Sequence, residues 1–241
     1  AISPGVPRKE PYVQQAIARG IPVVGDITLF SWALDELATP RPKILAITGS
    51  NGKTTVTTMT GELLKKAGWD VEVAGNISPA VLDALMKRID AGKLPQAWVL
   101  EVSNFQLEST IHLNADAATV LNLSEDHLDR YDDMQDYVAA KERIFMHDIP
   151  GKGVQILNRE DPGVCAMAIK GRRQVTFGLD KSTTSKDFGL LPDNGDYWLL
   201  EGEVQLMRTS ELAVNGLHNA ANALAALALC RVVGAPGTSL L

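Results

Sequence analysis

The sequence predicts an α/β fold: a doubly wound, mostly parallel sheet with a small antiparallel β subregion toward its C-terminal end. Three observations predict it. Short apolar runs such as PKILAIT (42–48) and AWVLEV (97–102) lack the alternation of a half-exposed strand, as strands buried on both faces do. Helical stretches separate those runs. After about residue 174 the helices stop, and the turn signals Asp193-Asn194-Gly195 and Glu201-Gly202-Glu203 follow at hairpin spacing.

Taken in order, 11–19 reads as a short helix, 21–24 as a strand and 27–37 as a helix. Thr39-Pro40-Arg41-Pro42 reads as a linker, because two prolines forbid helix continuation. Residues 1–38 are too few to bury a core of their own, so they are expected to be the tail of a preceding domain, with 39–42 as linker and 43–241 as a central domain. The run at 42–48 is a buried strand. A helix over 53–67 stops at Gly68, and a brief strand follows at 71–74. A helix over 79–91 is closed by Gly92. Strands are expected at 97–102 and 117–121, an amphipathic helix at 134–147 and a strand at 153–157. The segments 174–178, 189–191, 197–200 and 204–207 read together as an antiparallel edge. An Ala/Leu-rich helix over 217–233 ends at Gly234 and Pro236.

Composition excludes several classes. The 241 residues are 45% hydrophobic and 22% charged, an ordinary globular balance. No run of about 18 apolar residues occurs, so no membrane span is expected. Residues 1–9 lack the charged and apolar regions of a secretory signal. Cys165 and Cys230 sit on unrelated segments, which argues against a disulfide framework and for a reduced, cytoplasmic setting. The formal net charge of −6 argues against a broad basic face for nucleic acid. An anionic ligand must be held by a local concentration of donors.

Ile47 to Thr55 supplies one. It reads I-T-G-S-N-G-K-T-T, directly after a strand and directly before a helix. There, the backbone N–H groups of Gly49, Ser50, Asn51, Gly52 and Thr55 can converge on a phosphate. The helix N-terminus adds partial positive charge, and Lys53 adds a mobile cation. The Thr54 hydroxyl is placed for Mg2+. This is a variant of the P-loop pattern, since Ile47 stands where the first glycine is usual and the glycine is at Gly49. The expected ligand is ATP. Two like unit charges 4 Å apart repel by about 4 kcal/mol at an effective dielectric near 20, so a reaction bringing a second anion to the γ-phosphate needs the cations in place first. Carboxylates and hydroxyls are then sought at strand C-termini, where doubly wound sheets bind ligands. Glu101 ends one buried strand. The next ends at Asn122 and runs into the polar stretch Ser124 to Arg130, which includes His127. Asn76 follows another short strand. Lys141 lies on the helix after the acidic loop, where a solvated lysine is the plain reading.

Six segments in this order resemble the Mur ligases. They are T-G-S-N-G-K-T-T at 48–55, G-N-I at 75–77, E-V-S-N-F-Q-L-E at 101–108, L-N-L-S-E-D-H-L-D-R-Y at 121–131, A-A-K at 139–141 and H-N-A-A-N-A-L-A-A at 218–226. The E-D-H-L-D-R-Y and S-x-F-Q-L-E forms resemble the branch that adds D-glutamate to UDP-N-acetylmuramoyl-L-alanine. The resemblance covers essentially the whole chain.

It implies an ATP-dependent ligase of peptidoglycan precursor synthesis that works through an acyl phosphate, as a cytoplasmic monomer. By resemblance Lys53 and the loop amides hold phosphates, and Thr54 and Glu101 bind Mg2+. His127 helps hold a second Mg2+ and the sugar-nucleotide end. Asn76, Ser103 and Gln106 face the UDP-sugar, as do Ser3, Pro4 and Gly5 at the end of a UDP-binding first domain. Lys141 resembles a lysine that CO2 carbamylates, which gives it a carboxylate-like group for Mg2+. Asn219 and Asn222 share a helix face, and Asn222 matches an adenine contact. Asn104 departs from the usual serine of S-S-F-Q. The resemblance further implies that the chain begins within the first domain and stops before a third that grips D-glutamate. The alternatives are another Mur ligase, a folylpolyglutamate synthetase, or a P-loop module that binds nucleotide without acting as a ligase.

Overall fold

Each buried strand spends its residues alternately on two faces, and that alternation organises the molecule. The computed structural model describes residues 1–124, 131, 133–182 and 184–235. In strand β1 (Lys43–Thr48), Leu45 and Ile47 enter one apolar cluster while Ile44 and Ala46 enter the other. Strand β3 (Ala97–Glu101) does the same, with Ala97 and Val99 on one side and Trp98 and Leu100 on the other. Period-2 alternation with apolar residues in both phases requires a helix layer on each face.

One layer is built by α3 (Lys53–Lys66) and α8 (Leu217–Val232). The alanines of α8 let it approach the sheet closely; Ala220, Ala225, Ala226 and Ala228 are fully buried. The other layer holds α2 (Asp26–Leu37) and α4 (Val81–Asp90). Ile27, Phe30 and Leu34 of α2 are fully buried in the cluster that contains Trp98. The Phe30 and Trp98 rings meet edge to face with centroids 4.9 Å apart. Helix α1 (Pro11–Ala18) precedes this layer.

The nine strands run in the order β2-β3-β1-β4-β5-β6-β7-β8-β9. Those not yet placed are β2 (Val71–Gly75), β4 (Ala117–Val120), β5 (Val154–Asn158), β6 (Gln174–Phe177), β7 (Phe188–Asp193), β8 (Asp196–Glu201) and β9 (Val204–Arg208). Pairing is parallel from β2 through β6, and β7, β8 and β9 form an antiparallel meander. The chain leaves β1 toward β2 and leaves β4 toward β5, so the strand order reverses between β1 and β4. The crevice beyond their C-terminal ends is the topological switch point.

Three local expectations are corrected. Residues 21–24 form no strand; the segment makes a backbone bond from Ile2 N–H to the Val24 carbonyl at 2.8 Å but joins no ladder. Strand β6 is not part of the antiparallel edge but pairs parallel with β5, because a short helix α7 (Pro162–Ala166) lies in the crossover. The helix expected over 134–147 is α6 (Met134–Glu142), continued by one 3-10 turn to Phe145. A five-residue helix α5 (Asn104–Glu108) was not anticipated. No described helix is long and apolar enough to cross a membrane.

Candidate functional site

The loop 49–52 leaves β1 at the switch point and enters α3. Gly52 caps the helix with φ 83°, in the left-handed region that glycine occupies without strain. Gly49, at φ 155°, lies so close to the neighbouring strand that a Cβ there would stand 2.9 Å from Leu121 Cβ. Lys53 Nζ turns back over the loop and donates to the Gly49 carbonyl at 2.9 Å and the Ser50 carbonyl at 3.0 Å. Ser50 is held from several sides: its hydroxyl meets the Tyr137 hydroxyl at 2.8 Å, donates to the Ser124 carbonyl and accepts the Ser124 N–H.

Glu101 closes the opposite side of the crevice. It is 2% exposed. Its Oε2 accepts the Thr54 hydroxyl and its Oε1 accepts Asn76 Nδ2, each at 2.8 Å. The close approach of β2 to β3 that brings Asn76 there requires Gly75, where a Cβ would lie 2.1 Å from the Glu101 carbonyl. Three residues singled out in the sequence thus meet at one point. A magnesium ion takes few protein oxygens and keeps waters or phosphate oxygens for the rest, so the Thr54 hydroxyl and Glu101 carboxylate are a fitting donor pair. No group of three or more His, Cys, Asp and Glu able to hold a metal occurs among the described residues.

Lys141 is 1% exposed, contrary to the plain reading of a solvated lysine. Its Nζ donates to the Gly49 carbonyl at 3.2 Å and lies 4.7 Å from the Tyr137 ring centroid. Helix α6 therefore delivers a second lysine to the loop. Ser103 caps α5 in a reciprocal capping box with Gln106. The Gln106 amide is committed at both ends: Oε1 accepts the Ser103 N–H at 3.1 Å, and Nε2 donates to Asp26 Oδ2 at 2.8 Å. Ser3, Pro4 and Gly5 lie beside α1, where Ser3 lines a separate recess with Ile2, Val6 and Tyr12. His127 lies outside the described residues.

Between the loop and the start of α8 opens a cavity of about 320 Å³. Asn51, Gly52 and Thr55 line it from the loop side, and Asn219 and Asn222 from α8. Asn222 Nδ2 donates to Asn219 Oδ1 at 3.2 Å. Asn122, which the sequence marks as a strand-end polar group, lines it too, together with Asn158, Phe177 and His218, to which sequence reading gave no role. Phe177 reaches the cavity only because β6 pairs parallel with β5, which sets it level with Asn158. The polar residue ending a buried strand, the signal that marks Asn122, would have found Asn158 as well. An aromatic face beside convergent amides, one loop away from a phosphate cradle, can hold a nucleoside.

The comparisons accord with this geometry. Residues 47–230 match the family described as Mur ligase middle domain. The chain is 64% identical over 241 residues to the UDP-N-acetylmuramoylalanine–D-glutamate ligase of Nitrosomonas europaea, covering all of this chain and 51% of that protein. It is 62% identical to the enzyme of the same name from Nitrosospira multiformis, again along its whole length and over 50% of the relative. The chain thus spans about half the length of the curated relatives it matches. Among solved structures, a UDP-N-acetylmuramoyl-L-alanyl-D-glutamate–2,6-diaminopimelate ligase superposes with a TM-score of 0.69 at 23% identity, over 88% of this chain and 48% of the other. A UDP-N-acetylmuramoylalanyl-D-glutamyl-2,6-diaminopimelate–D-alanyl-D-alanyl ligase from Acinetobacter baumannii gives 0.65 at 23%, over 88% and 47%. These two speak for the fold. The matched span begins at the last turn of β1 and runs well into α8, enclosing the loop, the Glu101 point and the cavity wall together, and on that ground the chain belongs to the Mur ligase family, as a bearer of its middle domain.

Proposed function

We propose that this chain is the nucleotide-binding core of an ATP-dependent ligase that joins D-glutamate to UDP-N-acetylmuramoyl-L-alanine in peptidoglycan precursor synthesis. The observation that carries the reading is the meeting of Thr54, Glu101 and Asn76 beside the lysine-covered loop. The names of the most similar relatives supply the acceptor and the amino acid. In this reading residues 1–38 end a UDP-binding first domain whose last helix, α2, packs onto the sheet of the domain formed by 43–241, 39–42 link the two, and D-glutamate is gripped outside this chain. The protein works as a cytoplasmic monomer.

A carboxylate is a poor electrophile and needs activation. The γ-phosphoryl group of ATP passes to the acceptor's carboxylate oxygen, giving an acyl phosphate and ADP. The D-glutamate amine then attacks the carbonyl carbon; the C–O bond to phosphate breaks, inorganic phosphate leaves with the electron pair, and the amine loses a proton. The loop amides at the start of α3 bind the phosphates, and Lys53 offsets their charge. Thr54 and Glu101 would hold Mg2+, which supplies charge neutralisation between the two anions when bound. Asn219 and Asn222 orient the base, while Asn76 and Ser103 face the acceptor. His127 is proposed for the sugar-nucleotide end and a second metal. Lys141, buried against the loop, is proposed to act as its carbamate.

The test uses the full-length protein that contains this chain. ADP release should require UDP-N-acetylmuramoyl-L-alanine, amide formation should require D-glutamate, and hydroxylamine should trap the acyl phosphate. A preference for L-lysine, meso-diaminopimelate or a folate would overturn the specific assignment. Nucleotide hydrolysis with no trapped acyl group would overturn the ligase reading. Lys141→Ala should be inactive and partly restored by short carboxylates; wild-type turnover in that variant would remove the carbamate.

A further inference from the structure

The loop after β1 and the segment after β4 continue side by side beyond the sheet. Leu121 N–H donates to the Thr48 carbonyl at 2.9 Å, and Ser50 N–H donates to the Asn122 carbonyl at 3.0 Å. There the backbone rungs end and the Asn122 side chain takes over. Its Oδ1 accepts the Asn51 N–H at 2.8 Å, and its Nδ2 donates to the Asn51 carbonyl at 3.1 Å. A carboxamide carries an acceptor and a donor on one planar unit, as a peptide does, so Asn122 adds one more rung to the ladder.

This rung decides what the loop offers a ligand. With the Asn51 carbonyl held by Asn122, each of the first three loop carbonyls faces a donor: Gly49 meets Lys53 and Lys141, and Ser50 meets Lys53. A carbonyl free to swing into the cradle would set partial negative charge against a phosphate. The N–H groups of Ser50 and Asn51, expected from the sequence to face a phosphate, are instead committed to Asn122. The donors left to converge on an anion are the leading N–H groups of α3, which have no intrahelical partners.

We propose that Asn122 is a positioning residue for the nucleotide phosphates, acting through Asn51 to keep the loop in its anion-accepting shape. The proposal rests on the nucleotide reading above and is independent of which amino acid is added. Chemistry distinguishes the alternatives at this position. Alanine removes both halves of the rung. Aspartate keeps an acceptor for the Asn51 N–H but turns a second acceptor, and a negative charge, toward the Asn51 carbonyl and the cradle.

The test measures ADP binding by calorimetry in the full-length protein and its Asn122→Ala and Asn122→Asp variants, with Lys53→Ala as reference. UDP-N-acetylmuramoyl-L-alanine binding and the unfolding midpoint are measured on the same samples without nucleotide. ADP should bind on the order of tenfold more weakly to Asn122→Ala, and more weakly still to Asn122→Asp, as loss of two hydrogen bonds and then an added charge require. Binding of the sugar nucleotide and the midpoint should stay where they are. ADP affinity within about twofold of the parent in both variants overturns the proposal when Lys53→Ala has weakened ADP binding. Equal loss of both ligands with a lowered midpoint also overturns it, since that marks general damage. A parent that binds no ADP overturns the nucleotide reading itself, and this proposal with it.

Discussion

Gly52→Ala tests whether the loop and the far wall of the cavity are packed as one piece. Gly52 sits at φ 83°, and a Cβ there would stand 2.7 Å from Asn222 Oδ1 and 3.4 Å from Asn222 Cγ. The left-handed conformation costs a non-glycine residue about 1–2 kcal/mol. The methyl group must also push the Asn222 amide aside, breaking its 3.2 Å bond to Asn219 Oδ1, for about 0.5–1.5 kcal/mol. Against this, alanine restricts the unfolded chain by about 0.4–1 kcal/mol. The balance is a loss near 2 kcal/mol, or about 4–8 °C in the midpoint of a cooperative unit of this size. Urea unfolding of single and double variants measures it. Asn222→Ala in the Gly52→Ala background should recover the steric part, so the two changes should not add. A single variant within about 0.5 kcal/mol of the parent, or strict additivity, would refute the packing argument.

Two further outcomes follow from the core and from titration. Phe30→Ala should cost about 3–5 kcal/mol in the same unfolding assay, since the ring is fully buried against Trp98; a loss below about 1 kcal/mol would show that α2 does not share the core of the sheet. Burial, reinforced by the positive charge of Arg172, holds the His147 imidazole below its ordinary range, while Asp148 opposes the shift. The unfolded chain therefore takes up its proton first as pH falls through about 6.5, and stability present above that value is lost below it. His147→Gln should flatten the fall in unfolding midpoint between neutral pH and about pH 5.5. An unchanged pH profile would contradict that.

What the sequence made legible, and what it did not, separates by range of interaction. The buried strands announce themselves because helices on both faces demand unbroken apolar runs, and the loop announces itself because glycines, a lysine and a threonine must stand within a few residues of a strand end. Helix α7 was hidden because Glu160-Asp161-Pro162-Gly163 reads as a turn. Asp161 in fact caps the helix, accepting the N–H groups of Gly163 and Val164, with Pro162 in its first turn. Missing it also misdirected β6 into the antiparallel edge. Residues 21–24 have strand composition without a strand to pair with. The rung from Asn122 to Asn51 spans 71 residues, and nothing local marks it. Lys141 reads as a surface lysine because its helix is polar around most of its turns, and only the docking of α6 against the loop buries it.

The distribution of charge gives the site its direction. Two carboxylate sites elsewhere are answered by arginines: Arg231 grips Glu201 with contacts from 2.5 Å, and Arg88 bridges Asp70 and Glu72. Glu101 is more deeply buried than any of these, yet the side-chain hydrogen bonds it accepts come from neutral groups, the Thr54 hydroxyl and the Asn76 amide. A buried carboxylate whose side-chain hydrogen bonds come from neutral donors is suited to a divalent cation. Across the crevice the arrangement is inverted. Lys53 turns toward the loop carbonyls of Gly49 and Ser50, neutral acceptors on which its charge stands. Pairing Glu101 directly with Lys53 would merge the sites suited to a metal and to phosphate oxygens. The fold keeps Lys53 and Glu101 apart, each with neutral partners, and in the proposed reaction that separation serves an acidic chain that must bring two anions together.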